Sequence, residues 1–133
     1  GEKMNNDLSF IKEAIIDEYK AIQTYHTLVN ASNIPELRQL FTQLESDEQR
    51  HVNLLESMYY EITGESYHPT IPPMDPNKHA EELIDNSIQF EIDAVASYNK
   101  AANTTKNKRF RRTYRQIGGD ENVHALRLLN LQK

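Results

Sequence analysis

Four glutamates and two histidines recur in this sequence at spacings that two cations could satisfy. Glu48-x-x-His51 and Glu121-x-x-His124 are two copies of one tetrapeptide, and Glu18 and Glu91 each precede a copy by 30 residues. A constant offset of 73 carries Glu18 onto Glu91, Ala21 onto Ala94, Tyr25 onto Tyr98, Arg38 onto Arg111, Asp47 onto Asp120, Glu48 onto Glu121 and His51 onto His124. A lone Glu-x-x-His arises by chance on many solvated helices; two copies, each matched to a Glu at the same separation, form an internal repeat. Carboxylate oxygens and imidazole nitrogens bind divalent first-row metals. Two such ions would balance four carboxylates charge for charge and leave both imidazoles neutral and free to ligate. The chain contains no Cys, which excludes disulfides, thiolate metal sites, iron–sulfur centres and a Cys nucleophile.

The elements that must position these residues are helices. Residues at about 5–30, 34–62, 78–103 and 106–131 each advance their apolar residues in alternating steps of three and four, which predicts four amphipathic helices. The expected seam of the first is Leu8, Ile11, Ile15, Glu18, Ile22, Tyr25, Val29, and that of the second Leu37, Phe41, Leu44, Glu48, His51, Leu55, Met58, Ile62. The third gives Ile84, Ile88, Glu91, Val95, Tyr98, Ala102, and the fourth Phe110, Tyr114, Ile117, Glu121, His124, Leu128, Leu131. All six metal-ligand candidates thus fall on core positions, where bare carboxylates cost several kcal/mol or more and no Lys or Arg stands in any seam to pair with them.

Short breaks at 31–35 and 103–107 allow only antiparallel returns, with Asn33 expected to cap and Pro35 to open the second helix. The 63–77 segment is different, carrying four of the five prolines. A helix of about 28 residues is about 42 Å long, and some 15 extended residues reach about 50 Å, so this segment can run the length of a bundle. Residues 1–133 therefore read as a single all-α domain: two antiparallel helical hairpins, about 5–62 and 78–131, joined by a long crossover. In each hairpin the Glu and the Glu-x-x-His pair lie equally far from the turn, which brings all six groups to one layer.

With these residues the chain resembles the rubrerythrin and bacterioferritin branch of the ferritin-like superfamily, over nearly its whole length. The resemblance implies a ferritin-like four-helix bundle holding two metal ions, with iron expected and manganese or zinc as alternatives. It implies that Glu48 and Glu121 bridge the ions, that Glu18 and Glu91 each hold one from the outside, and that each His completes one. It further implies a di-iron or di-manganese oxidoreductase of ferroxidase or rubrerythrin-like peroxidase type, reacting with dioxygen or hydrogen peroxide and drawing on an unidentified electron donor. A non-enzymatic iron-binding or storage protein is the alternative. Rubrerythrins usually add a Cys-rich iron domain and a Glu three residues beyond the third-helix ligand, where this chain has Ala94. The Met that ligates haem in bacterioferritins is replaced by Gln49, so no haem is expected.

Around this set, Tyr25 and Tyr98 are candidates to hydrogen-bond a bridging carboxylate or pass an electron, or else are core tyrosines. Asp47 and Asp120, four residues before each His, either orient an imidazole or face solvent. Ala21 and Ala94 either leave room for an oxidant or only pack closely. His26, His68 and His79 read as surface residues. The basic run Lys106, Lys108, Arg109, Arg111, Arg112, Arg115 reads as a solvated helix face, and with a net charge of -5 no nucleic-acid partner is expected. No apolar run approaches the roughly 20 residues of a membrane span, so no membrane partner is expected. A homodimer and a cytoplasmic location are the expectations, with a leader removed ahead of Gly1 left open.

Overall fold

The computed structural model describes residues 2–132, with side chains from residue 6 onward. Its elements are α1 (Glu2–Ala31), α2 (Pro35–Thr63), α3 (Ala80–Thr104) and α4 (Lys108–Asn130), with no strand among the described residues. The expected helices are all present, and the bundle is all-α. α3 starts two residues later than the periodicity suggested, which lengthens the crossover to 64–79.

Local chemistry explains the ends. Asn107 caps α4, its side chain accepting from the backbone N–H groups of Arg109 and Phe110. At α2 the expected Asn33 cap is not formed: Ile34 occupies the N-cap without a side-chain bond, and Pro35 follows in the first turn. Pro35 has no N–H to satisfy, so the first turn needs less capping. Gly64 ends α2 at φ 74, donating its N–H to the Tyr60 carbonyl. The repeated arginines close the preceding helices in the same manner. Arg38 donates to the carbonyls of Val29 and Ser32, and Arg111 to those of Ala102 and Thr105.

α1 packs along α2 and α3 along α4, with weaker faces joining α1 to α3 and α2 to α4. Paired residues give the directions. Asp7 meets Thr105 and Glu18 meets Tyr98, while Arg50 meets Asp120 and Glu61 meets Arg109, so each neighbouring pair is antiparallel. α2 and α3 are consequently parallel and diagonal to each other. The crossover climbs α1, from Tyr67 under the Lys12 ammonium to Met74 beside Thr27. Those two points on α1 are about 22 Å apart at the helical rise.

The core consists of two apolar blocks. One gathers Ile11, Ile15, Leu55, Met58, Tyr98, Phe110, Tyr114 and Ile117. The other gathers Tyr25, Leu28, Phe41, Leu44, Leu83, Ile88 and Leu128. On α2 and α4 the buried stripe follows the expected seam except at the ends, where Leu37, Ile62 and Leu131 are half-buried. On α1 and α3 it shifts: Leu8, Ile22, Val29, Ile84 and Val95 are only half-buried, while Asp7, Ala14, Ala21, Leu28, Leu83 and Ala94 lie inside. A straight helix drifts about 20° per heptad against a strict 3.5-residue repeat, and over helices of 30 and 25 residues that drift moves the buried stripe.

Candidate metal centre

Between the two apolar blocks lies a polar layer. Glu48, His51, Glu91 and Glu121 have no appreciable exposure, and Glu18 and His124 only 1% and 2%. α1 supplies Glu18, α2 supplies Glu48 and His51, α3 supplies Glu91, and α4 supplies Glu121 and His124. Glu18, Glu48, His51 and Glu121 bring ligand atoms within 4.8 Å of one another, and so do Glu48, Glu91, Glu121 and His124. The two sets share Glu48 and Glu121. The two imidazoles are inclined at 27° to each other with centroids 6.2 Å apart.

The histidines are fixed from outside the layer. His51 Nε2 lies 2.8 Å from Asp120 Oδ2, and His124 Nε2 lies 2.8 Å from Asp47 Oδ2. The aspartates do orient the imidazoles, but each serves the histidine of the other hairpin rather than the one four residues along its own helix. The geometric reason is that Asp and His at i and i+4 point along one face, whereas the facing helix brings its Asp to the outer edge of the ring. With Nε2–H donated to carboxylate, each neutral imidazole turns the Nδ1 lone pair inward.

Inward, the six groups face only one another. Glu18 Oε2, both oxygens of Glu48, Glu91 and Glu121, and Nδ1 of both histidines are buried with no hydrogen-bond partner from outside the cluster, the closest imidazole–carboxylate approach within it being His124 Nδ1 to Glu91 Oε2 at 2.7 Å. Buried polar atoms are ordinarily satisfied, and here every unpartnered oxygen and nitrogen of the six residues belongs to a cluster with metal-ligating spacing. Lone pairs facing lone pairs need a proton or a cation between them. The donor set of four carboxylates and two imidazoles fits a pair of divalent ions in charge and ligand type.

Electrostatics without metal show the same demand. Burial pushes the Glu18 carboxyl up to about 7, with the charge of Glu121 adding to it. Burial raises Glu91 to about 9, with Glu121 again contributing against the opposing pull of His124. Glu48 is held well above the usual range by burial and by Glu18, Glu121 and Glu91. Glu121 goes the other way: burial would raise it, but the bond from His124 and the charge of both imidazoles hold it down. Burial likewise opposes protonation of His124, yet Glu121 and Glu91 carry it to about 11. The metal-free centre therefore retains protons that metal ions would displace.

The two tyrosines behave differently from each other. Tyr98 donates to Glu18 Oε1 at 3.0 Å, across the α1–α3 face, so its partner is an outer carboxylate and not one of the two shared ones. Tyr25 is fully buried and its hydroxyl has no partner; the Ser87 hydroxyl beside it donates instead to the Leu83 carbonyl. Ala94 lines a groove between α1 and α3 that reaches Glu18 and holds about 400 Å³. Ala21 lines a second groove farther along the same face. His26 is exposed and pairs with Glu45 at 3.2 Å, while His68 and His79 are exposed on the crossover and at its end. In the basic run, Arg109 pairs with Glu61 and Arg111 closes α3.

One buried acid escaped the sequence reading. Asp7 accepts from Tyr114 at 2.8 Å and from Thr105 at 2.9 Å, tying the start of α1 to the α3–α4 turn. Its neighbour Leu8 fits the periodic seam better, and only the drift of the α1 stripe places Asp7 inside.

A bundle of two antiparallel hairpins with one long crossover, centred on a buried Glu/His cluster that fits two metal ions, is a ferritin-like carboxylate protein in class. The sequence profile of the rubrerythrin family matches residues 9–132, and the chain belongs to that family. The uncharacterized protein YhjR of Bacillus subtilis (strain 168) is 29% identical over 116 residues, covering 87% of this chain and 79% of that protein. The crystal structure of a conserved hypothetical protein from Mycobacterium tuberculosis superposes with a TM-score of 0.81 at 14% identity. It covers 97% of this chain and 92% of the other, a likeness of fold.

Proposed function

We propose that this protein is a di-iron oxidoreductase that reduces dioxygen or hydrogen peroxide. The observation that carries the reading is the pair of overlapping ligand sets sharing Glu48 and Glu121. A pair of iron ions held there supplies two electrons to an oxygen–oxygen bond in one encounter. The chain's own part is to bind, orient and exclude water. Glu18 and Glu91 would each hold one ion, Glu48 and Glu121 would serve both, and Asp47 and Asp120 set the direction in which each Nδ1 points. The two apolar blocks close the layer on both sides along the bundle axis. Six protein ligands for two ions leave coordination positions free for an oxidant.

Manganese is the second choice of metal, and iron storage without catalysis the second choice of function. The partners proposed are dioxygen or hydrogen peroxide, an electron donor, and a second copy of the chain in a homodimer. Stopped-flow absorbance after mixing ferrous-loaded protein separately with each oxidant tests the reading. Oxidation faster than that of free ferrous iron, with one oxidant preferred, is the expected result. Oxidation no faster than free ferrous iron leaves a binding protein, and a cage-sized particle by light scattering would then support storage.

A further inference from the structure

The internal repeat predicts two equivalent metal positions, but three features break the equivalence in the same sense. The first lies behind the histidines. Asp120 Oδ2, the atom that accepts from His51, also accepts from Arg50 at 2.9 Å. On Asp47 the oxygen facing His124 has that bond to itself: its Oδ1 takes the neutral amide of Gln43 at 2.9 Å and meets Arg50 only at 3.5 Å. Arg50 has no repeat counterpart, because the offset of 73 carries it onto Val123. A guanidinium drawing on the same oxygen weakens what Asp120 lends to His51, so His51 is the poorer electron donor of the two.

The second feature lies at the outer carboxylates. Glu18 gives up part of its charge density to the Tyr98 hydroxyl, a partner from outside the cluster, whereas Glu91 meets only the His124 ligand nitrogen, at 2.7 Å, and Tyr25 makes no matching bond. The third is access. Glu18 lines the groove between α1 and α3, along with Ala14, Ala94 and Tyr98. The corresponding half of that face, at Ala21, Tyr25 and Ser87, is walled by Pro72, Pro73 and Met74 of the crossover, and the groove between them does not reach Glu91. A single crossover can cover only one of two repeat-related faces.

We infer that the two metal positions differ in kind: the Glu91/His124 position is the tight, resident one, and the Glu18/His51 position is the weaker, exchangeable one that opens to the α1–α3 groove. This rests on the two-metal centre proposed above and adds an order of filling to it. Mutual repulsion of the ions separates first from second binding but cannot choose which position fills first. The Arg50, Tyr98 and crossover asymmetries choose.

Cobalt(II) serves as the probe, followed by its visible absorbance in a titration of the full chain. The expected result is two steps, the first at least about tenfold tighter, the scale on which outer partners of metal ligands act. Glu91→Gln should remove the tight step and leave the weak one; Glu18→Gln should do the reverse. Arg50→Val, which copies the α4 residue, and Tyr98→Phe should each tighten the weak step and bring the two closer. Release to a chelator should be biphasic, and Arg50→Val should slow its fast phase. If Glu91→Gln keeps the tight step, or if Arg50→Val and Tyr98→Phe both leave the gap unchanged, the inference is overturned while the two-metal reading stands. Failure of the unaltered protein to bind two cobalt ions would overturn both.

Discussion

Removing metal should make this bundle acid-loving. Glu18 is buried, and without a cation its carboxyl stands at about 7 instead of the ordinary 4.5. The folded state therefore holds a proton that the unfolded chain releases. The stability linked to that proton is complete below pH 4.5 and is lost as pH rises through 7. At 1.36 kcal/mol per pH unit, this one group costs about 3 kcal/mol on going from pH 5 to 8. Glu91, raised from 4.5 to about 9, and His124, raised from 6.5 to about 11, act in the same direction; Glu121, held low, contributes its pH dependence below 4.5 and leaves this range unchanged. For a domain of this size 1 kcal/mol shifts Tm by about 3–5 °C, so chelated protein should melt at least about 10 °C lower at pH 8 than at pH 5. Metal reverses the trend. Its ligands must lose their protons to bind it, so the gap between loaded and chelated protein widens with pH, reaching about 4 kcal/mol at a thousandfold excess over Kd. Differential scanning calorimetry from pH 5 to 8, with chelator and with metal, measures both slopes, and Glu18→Gln should flatten the chelated one. A chelated Tm that stays level or rises across that range would refute the argument that these carboxylates are held protonated by burial and by one another.

Three further outcomes follow from geometry. Asp120→Ala, which leaves the His51 ring without its outer acceptor, should weaken metal binding by about 10–100-fold with helix content unchanged by circular dichroism. Ile117→Ala empties a fully buried position in the block beside the metal layer and should cost about 2–5 kcal/mol in urea unfolding. Gly64→Ala puts a side chain at φ 74 and should cost about 1 kcal/mol in the same assay.

Much of this was legible in the sequence because the relevant periods are short and repeated. Helix positions followed from the 3–4 spacing, the crossover from its prolines, and the gathering of Glu18, Glu48, His51, Glu91, Glu121 and His124 from equal distances to the turns. What was not legible depends on the angle at which helices face each other. Asp47 and Asp120 were visible as candidates to orient an imidazole, but that each serves the other hairpin's histidine is decided by α2 packing against α4. Periodicity alone does not set the α1 stripe to within a residue: it favours Leu8, whereas the fold buries Asp7. The repeat also concealed as much as it revealed. Tyr25 and Tyr98 are equivalent in sequence, yet only Tyr98 finds a carboxylate.

The crossed aspartate–histidine pairs have a consequence for how the protein is made. The first hairpin leaves the ribosome carrying Glu18, Glu48 and His51, but the acceptor that turns His51 toward the centre is Asp120, which is synthesised about 70 residues later. The His124 ring in turn waits for a partner that has long since emerged. Neither half of the nascent chain can close a finished ligand set around a metal ion, and the first opportunity comes only when α4 is out and seated on α2. The complete, oriented ligand set thus exists only at the last stage of synthesis, when both hairpins are present and packed together.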